Sequence, residues 1–346
     1  MSLSESDRVL LSAVLKRVSR SFYLTLAILP GVVRSQISLA YLFARAADTI
    51  ADTGELDDGV RLQCLQELKR QIRKEDPEWS QIHQIQAQVI TKQSNPDERR
   101  LLEKLEQCFR IFLGFNHVDR SHIAQVVSVL IGGMEFDIQQ FPKNTDQAVR
   151  ALPEVQDLEY YTYAVAGCVG EFWTKMMCAH IPGMRDWDQS TMIPLGIRFG
   201  KGLQMVNILR DLPQDLINGR CYIPEALLKQ VHLSPEELLD TTSARDFRPL
   251  FRQLIQDARD HLDQGWRYTM AIPRLEVRLR LACMWPLLIG IRTLQALSIS
   301  QQVLQLDQSV KIARRDVYGI VAATGLTGGC GYVGTAYWGY WRKRII

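Results

Sequence analysis

Apolar residues recur three and four positions apart along almost the entire chain, while alternating runs of β-branched residues are nearly absent. That periodicity belongs to helices buried along one face, so the chain is predicted to be all-α. Helices are expected at about 4–18, 31–52, 60–74, 79–93, 97–114, 119–140, 156–180, 189–212, 246–269, 274–298 and 311–323. The breaks between them carry turn residues: "DTGELDDG", "SNPDER", "FPKNTD", "HIPGMRDWD", "LINGRCYIP" and "HLSPEE". In the last, Ser234 is placed to cap, Pro235 to open and Glu237 to close the box of a short helix. No break has the composition of a flexible linker, and no repeat of solenoid length is visible. A single helical domain over 1–311 is expected, followed by a distinct C-terminal segment over 312–346.

That segment is the least ordinary part of the chain. From Val317 to Trp341 the only ionisable side chains are tyrosine and cysteine, and basic residues stand on both sides: Arg314-Arg315 before, Arg342-Lys343-Arg344 after. The run is long enough to span a membrane, which needs roughly 20 apolar residues, but seven glycines make it weakly apolar. The favoured reading is a terminal helix that wraps onto the domain. The second is a peripheral membrane contact through Tyr337, Trp338, Tyr340 and Trp341, an aromatic cluster beside "RKR".

A formal charge of +3 without a basic patch argues against nucleic acid as a partner. Seven scattered cysteines, with no CxxC, read as small core residues in a reducing compartment, hence a cytoplasmic protein. The histidines form no zinc spacing. The charged, amphipathic N-terminus does not look like a secretory signal.

Within the apolar helices two pairs of like charges stand out. In "RAADTIADT", Asp48 and Asp52 lie four apart behind Arg45, hence on one face. In "GLQMVNILRDLPQDLINGR", Asp211 and Asp215 repeat the spacing between Arg210 and Arg220. Gln204, Asn207 and Asp211 form one polar stripe there, and Pro213 is expected to end or kink the helix. Inward-facing carboxylates are costly unless a cation meets them. Mg²⁺ takes oxygen ligands and is commonly held by one or two carboxylates plus substrate phosphates, while arginines bind phosphate oxygens bidentately. The two pairs therefore read as a Mg²⁺-diphosphate site in a helical bundle. Buried Asp–Arg structural networks are the competing reading, and a di-iron bundle lacks its Glu-x-x-His pairs.

Four ordered segments, "SRSFY" (19–23), "YLFARAADTIAD" (41–52), "YYTYAVAGCVGEFW" (160–173) and "LQMVNILRDLPQDLINGRCYIP" (203–224), resemble the squalene/phytoene synthase family. The resemblance implies an all-α isoprenoid-synthase bundle with a central cavity, joining two prenyl diphosphates head to head. It implies Mg²⁺ on Asp48, Asp52, Asp211 and Asp215, with Tyr161 assisting proton removal or cation stabilisation. For substrate, farnesyl diphosphate, it implies Ser19, Ser21, Phe22, Tyr41, Arg45, Val165, Gln204, Asn207, Arg220 and Tyr222. Phe172 is a further aromatic candidate. Ala51 departs from the family pattern, because some members carry a glutamate there, and this leaves the metal count open.

Two features resemble the squalene-forming branch, which quenches the final cation with hydride from NADPH. They are "AGCVGEFW" and "SVKIARRDV", whose Lys311 and Arg314 would meet the cofactor phosphates together with Arg20, Arg45 and Arg210. The expected protein is a monomeric squalene-forming enzyme using Mg²⁺ and NADPH. The alternatives are release of presqualene diphosphate and a phytoene or dehydrosqualene product. A non-catalytic assembly protein is disfavoured because all four aspartates and Tyr161 are present.

Overall fold

A computed structural model describes residues 4–19, 23–143, 148–300, 303–305, 310, 312–326 and 332–345. Of the described residues 80% are helical, as the periodicity predicts. Its residues group into two compact units, Met1–Lys143 with Phe172–Arg185, and Asn144–Glu171 with Asp186–Ile346.

In the first unit the Gly31–Asp52 helix is the central element. Val33, Ile37, Ala40, Phe43, Ala47 and Ile50 recur along it at helical spacing, and all are buried. It packs on His117–Gln140, Asp58–Arg73 and Leu105–Leu113. Phe43 meets Phe109 and Phe112 edge-on, with ring centroids 5.0 and 5.9 Å away. The C-terminal end is held by Arg61, a side chain only 2% exposed that donates to the Ala51 carbonyl at 2.5 Å and pairs with Asp58. A cation at the negative end of a helix is the favourable arrangement, so the segment carrying Asp48 and Asp52 is fixed from beneath.

In the second unit the 29-residue Gln189–Ile217 helix packs along Ala244–Ala271, which in turn meets Val277–Ile299. Pro194 and Pro213 both lie inside the first of these. This corrects the expected end near residue 212. Proline costs about 3 kcal/mol in a helix interior, yet Met205, Val206, Ile208, Leu209, Leu212 and Leu216 are buried around it, and that packing outweighs the lost bond. The helix stops at Gly219, whose φ of 75° glycine adopts without strain. Asp211 and Asp215 consequently share one continuous helix face.

The expected helix over 156–180 is Val155–Thr162 and Cys168–His180, joined by a π-helical turn at Tyr163–Gly167. Here the backbones nearly touch. A Cβ on Gly170 would lie 1.9 Å from the Gly196 carbonyl oxygen, and one on Gly200 would lie 2.2 Å from that of Ala166. A two-residue parallel pairing of Arg150–Ala151 with Arg220–Cys221 is the one sheet among the described residues. Ser234 and Glu237 form the expected reciprocal cap.

Val277–Ile299 is long and apolar enough to cross a membrane, but 72% of its most apolar window is buried within the fold. The described part of the C-terminal run forms two short helices, Arg314–Leu326 and Tyr332–Arg342, both packed on Val277–Ile299. Trp338 stacks on Trp266 with centroids 4.9 Å apart, so this member of the aromatic cluster faces inward. The six described cysteines are free and buried, consistent with a core role.

Candidate active site

Each carboxylate pair belongs to a different unit. In the first, Arg45 stands one turn before Asp48 and its guanidinium bridges two carboxylates, Nη1 pairing with Asp48 and Nη2 with Glu98. Glu98 is the third residue of the Pro96–Glu103 helix, in its first turn, which Asn95 caps. Its side chain is 13% exposed against 38% for Asp48. Burial, then the neighbouring Asp52 charge, push the Asp48 carboxyl up to about 6 despite Arg45. Burial opposes the charge on Arg45, but Asp48 and then Glu98 hold its pKa above the usual range. Asp52 is exposed, so the pair sits half in solvent and does not face wholly inward as the sequence predicts.

The arrangement suits a divalent cation. The donors are hard carboxylate oxygens, two of them adjacent like charges, and one is unfavourably ionised in the free protein. No cluster of three or more metal-binding side chains exists among the described residues. Ser19, at the end of Leu15–Ser19, is buried, and its hydroxyl has no described partner. Tyr41 lies one turn before Arg45 and donates to the Val18 carbonyl at 3.5 Å. Arg20, Ser21, Phe22 and Lys311 lie outside the described residues, as does the Arg314 side chain.

In the second unit Arg210 clasps Asp211 through Nε at 2.8 Å and through Nη2. That hydrogen bond raises the Arg210 pKa against burial, with the charges of Asp211 and Asp215 adding to it. Asn207 donates to Gln204 at 3.3 Å on the predicted polar stripe. Tyr222 follows the Arg220–Cys221 strand and stacks on Tyr161, centroids 4.7 Å apart. Val165 lies half-buried in the π-helical turn, a feature common at functional sites. Beside it Tyr163 donates to Glu171 at 3.2 Å, and burial followed by the Glu171 charge pushes its hydroxyl up to about 12. Cys221 is likewise driven up to about 12, chiefly by burial, and is no nucleophile. Gly167 and Gly170 are absorbed in packing.

Sequence reasoning missed Glu98 and Arg61. Each lies in a different helix from the pair it serves, so spacing along one helix could not reveal it. Asn95 to Glu98 reads as a capping box, which hides the contact Glu98 makes.

A family model described as squalene/phytoene synthase matches residues 15–316. A bifunctional lycopene cyclase/phytoene synthase from Podospora anserina is 26% identical over 266 residues, which are 75% of this chain and 42% of that protein. The chain therefore spans less than half of that relative's length. A squalene synthase from Cyberlindnera jadinii is 22% identical over 324 residues, 94% of this chain and 69% of that protein. The solved ligand complex of TcSQS shares the fold, with a TM-score of 0.78 at 18% identity, over 99% of this chain and 92% of that one.

Proposed function

Since the chain belongs to the squalene/phytoene synthase family, we propose that it joins two farnesyl diphosphates head to head to presqualene diphosphate and reduces this to squalene. The observation that carries the first half is the placing of Asp48 and Asp52 four apart on one helix, with the Arg45 guanidinium bridging Asp48 and Glu98. Carboxylates so placed gain by meeting a divalent cation, and the arginine offers contacts to phosphate oxygens. In this reading Asp48 with Asp52, and Asp211 with Asp215, each hold Mg²⁺, which neutralises diphosphate and lets it leave. Arg45 and Arg210 orient the leaving group. The stacked Tyr161 and Tyr222 present aromatic faces to an allylic cation, a contact worth about 2 kcal/mol or more when desolvated. Such a cation requires that water be kept from quenching it.

The reductive half rests on "VKI" at 310–312 and "AGCVGEFW" at 166–173. Arg45 and Arg210, also assigned to NADPH, are engaged by carboxylates. A second reading, a phytoene- or dehydrosqualene-type product without reduction, is favoured by the similarity to phytoene synthases. We place the protein in the cytoplasm as a monomer touching the membrane through exposed Tyr332 and Tyr340.

The test is incubation of pure protein with farnesyl diphosphate and Mg²⁺, with and without NADPH, and identification of the product. Squalene appearing only with NADPH is expected. Presqualene diphosphate under both conditions, or a forty-carbon product from the longer donor, overturns this assignment.

A further inference from the structure

The carboxylate of Glu98 is free for Arg45 because a different group closes the helix cap. Asn95 accepts from the Asp97 and Glu98 amides at 3.0 and 3.4 Å. In an ordinary capping box the glutamate three positions on would accept from the Asn95 amide. Here that amide donates to Gln93 Oε1 at 2.8 Å, and Gln93 is itself buried and fixed by a 3.3 Å bond from its Nε2 to Thr53. Glu98 is thus released from its local partner and reaches across to another helix.

Arg45 has three nitrogens in this arrangement. Nη1 meets Asp48, Nη2 meets Glu98, and Nε is buried with no described acceptor. A divalent cation bound at Asp48 would compete with Nη1 for that carboxylate and would repel the guanidinium. An arginine side chain carries about 2 kcal/mol of rotamer entropy, so an unanchored Arg45 would turn away. We propose that Glu98 is a positioning residue that keeps Arg45 beside the cation, offering its Nη1 hydrogens to a diphosphate. Glu98 is the less exposed of the two carboxylates, which makes its pairing the less screened. The inference rests on the diphosphate reading of the site and adds a residue to it.

The test is a double-mutant cycle on the full chain, using magnesium pyrophosphate as the calorimetric probe and thermal melting to verify folding. Glu98→Ala is expected to weaken pyrophosphate binding by about tenfold or more, within the range of coupled pairs. It should raise KM for farnesyl diphosphate more than it lowers kcat. Glu98→Gln, which retains an acceptor oxygen, is expected to recover part of the loss, and it carries the comparison if Glu98→Ala does not fold. In an Arg45→Ala background neither Glu98 change should weaken binding further. An equal loss in that background, or single variants that bind like wild type, overturns the positioning role alone. Wild-type protein that does not bind magnesium pyrophosphate overturns the diphosphate reading and this inference with it.

Discussion

The phenol rings of Tyr161 and Tyr222 stack with centroids 4.7 Å apart and planes 20° from parallel. One ring comes from the end of Val155–Thr162 and the other from just past the Arg220–Cys221 strand, so the stack ties two segments far apart in sequence. It also lets the ring and the hydroxyl of Tyr161 be tested apart. Tyr161→Phe keeps the stack and should change stability by about 1 kcal/mol or less, while slowing turnover by roughly a hundredfold if the hydroxyl moves a proton. Tyr222→Ala removes a buried ring and should cost about 3–5 kcal/mol in denaturant unfolding. Full turnover in Tyr161→Phe would leave the hydroxyl without a chemical role.

Asp48 makes stability depend on pH in a direction opposite to most carboxylates. Its folded pKa is about 6 against an ordinary 3.8, because of burial and then Asp52. Between about pH 4 and pH 6 the folded protein therefore binds more protons than the unfolded chain, so this group weakens the fold as pH rises, and the deficit persists above that window. His261 acts in the other sense, since burial and then Arg198 and Lys201 depress its pKa to about 4. Its contribution is lost as pH falls from about 6.5 towards 4. Comparing wild type with Asp48→Asn isolates the aspartate. In chelator at about pH 7.5 the variant should melt higher, and the gap should close near pH 4. Added Mg²⁺ should raise the wild-type melting temperature more than that of Asp48→Asn. Equal melting of the two proteins at neutral pH would contradict the raised pKa.

The pairs at 48/52 and 211/215 were legible because both members of each sit on one helix, where spacing translates directly into a shared face. Pro213 misled the reading of the second pair: a local breaking tendency was overruled by burial on both sides of it, which no local rule contains. Glu98 and Arg61 were invisible because their contacts depend on how separate helices pack. The π-helical turn at Tyr163–Gly167 was hidden for a related reason, since its composition continues an ordinary helical pattern. Arg20, Ser21, Phe22 and Lys311 carry readings from the sequence alone.

The glycines of the second unit differ sharply in what a methyl group would meet. Gly170→Ala and Gly200→Ala drive a Cβ against the backbone of the neighbouring helix or turn, which cannot yield as a side chain does. Each should destabilise by about 3 kcal/mol or more, at the upper end of overpacking costs, or prevent folding. Gly319→Ala, in a helix with nothing within 4 Å of the new Cβ, should instead stabilise by roughly 0.5–1 kcal/mol. Unfolding curves for the three variants check the ordering, and similar values for all would refute the close helix approach.

The C-terminal helix can be asked separately about packing and about membranes. Arg342 holds Asp263 with two bonds of 2.7 Å, and Trp338 is stacked face to face on Trp266. On the other side Tyr340 is 49% exposed, with the Arg344 guanidinium over its ring. Trp338→Ala should lower stability by about 3–5 kcal/mol. Tyr340→Ala should leave stability within about 1 kcal/mol but reduce cosedimentation with anionic vesicles, because an exposed aromatic beside basic residues is the part that can enter a headgroup layer. Vesicle binding that is insensitive to Tyr340 and lost only with Trp338 would mean that the docked helix is not the contact.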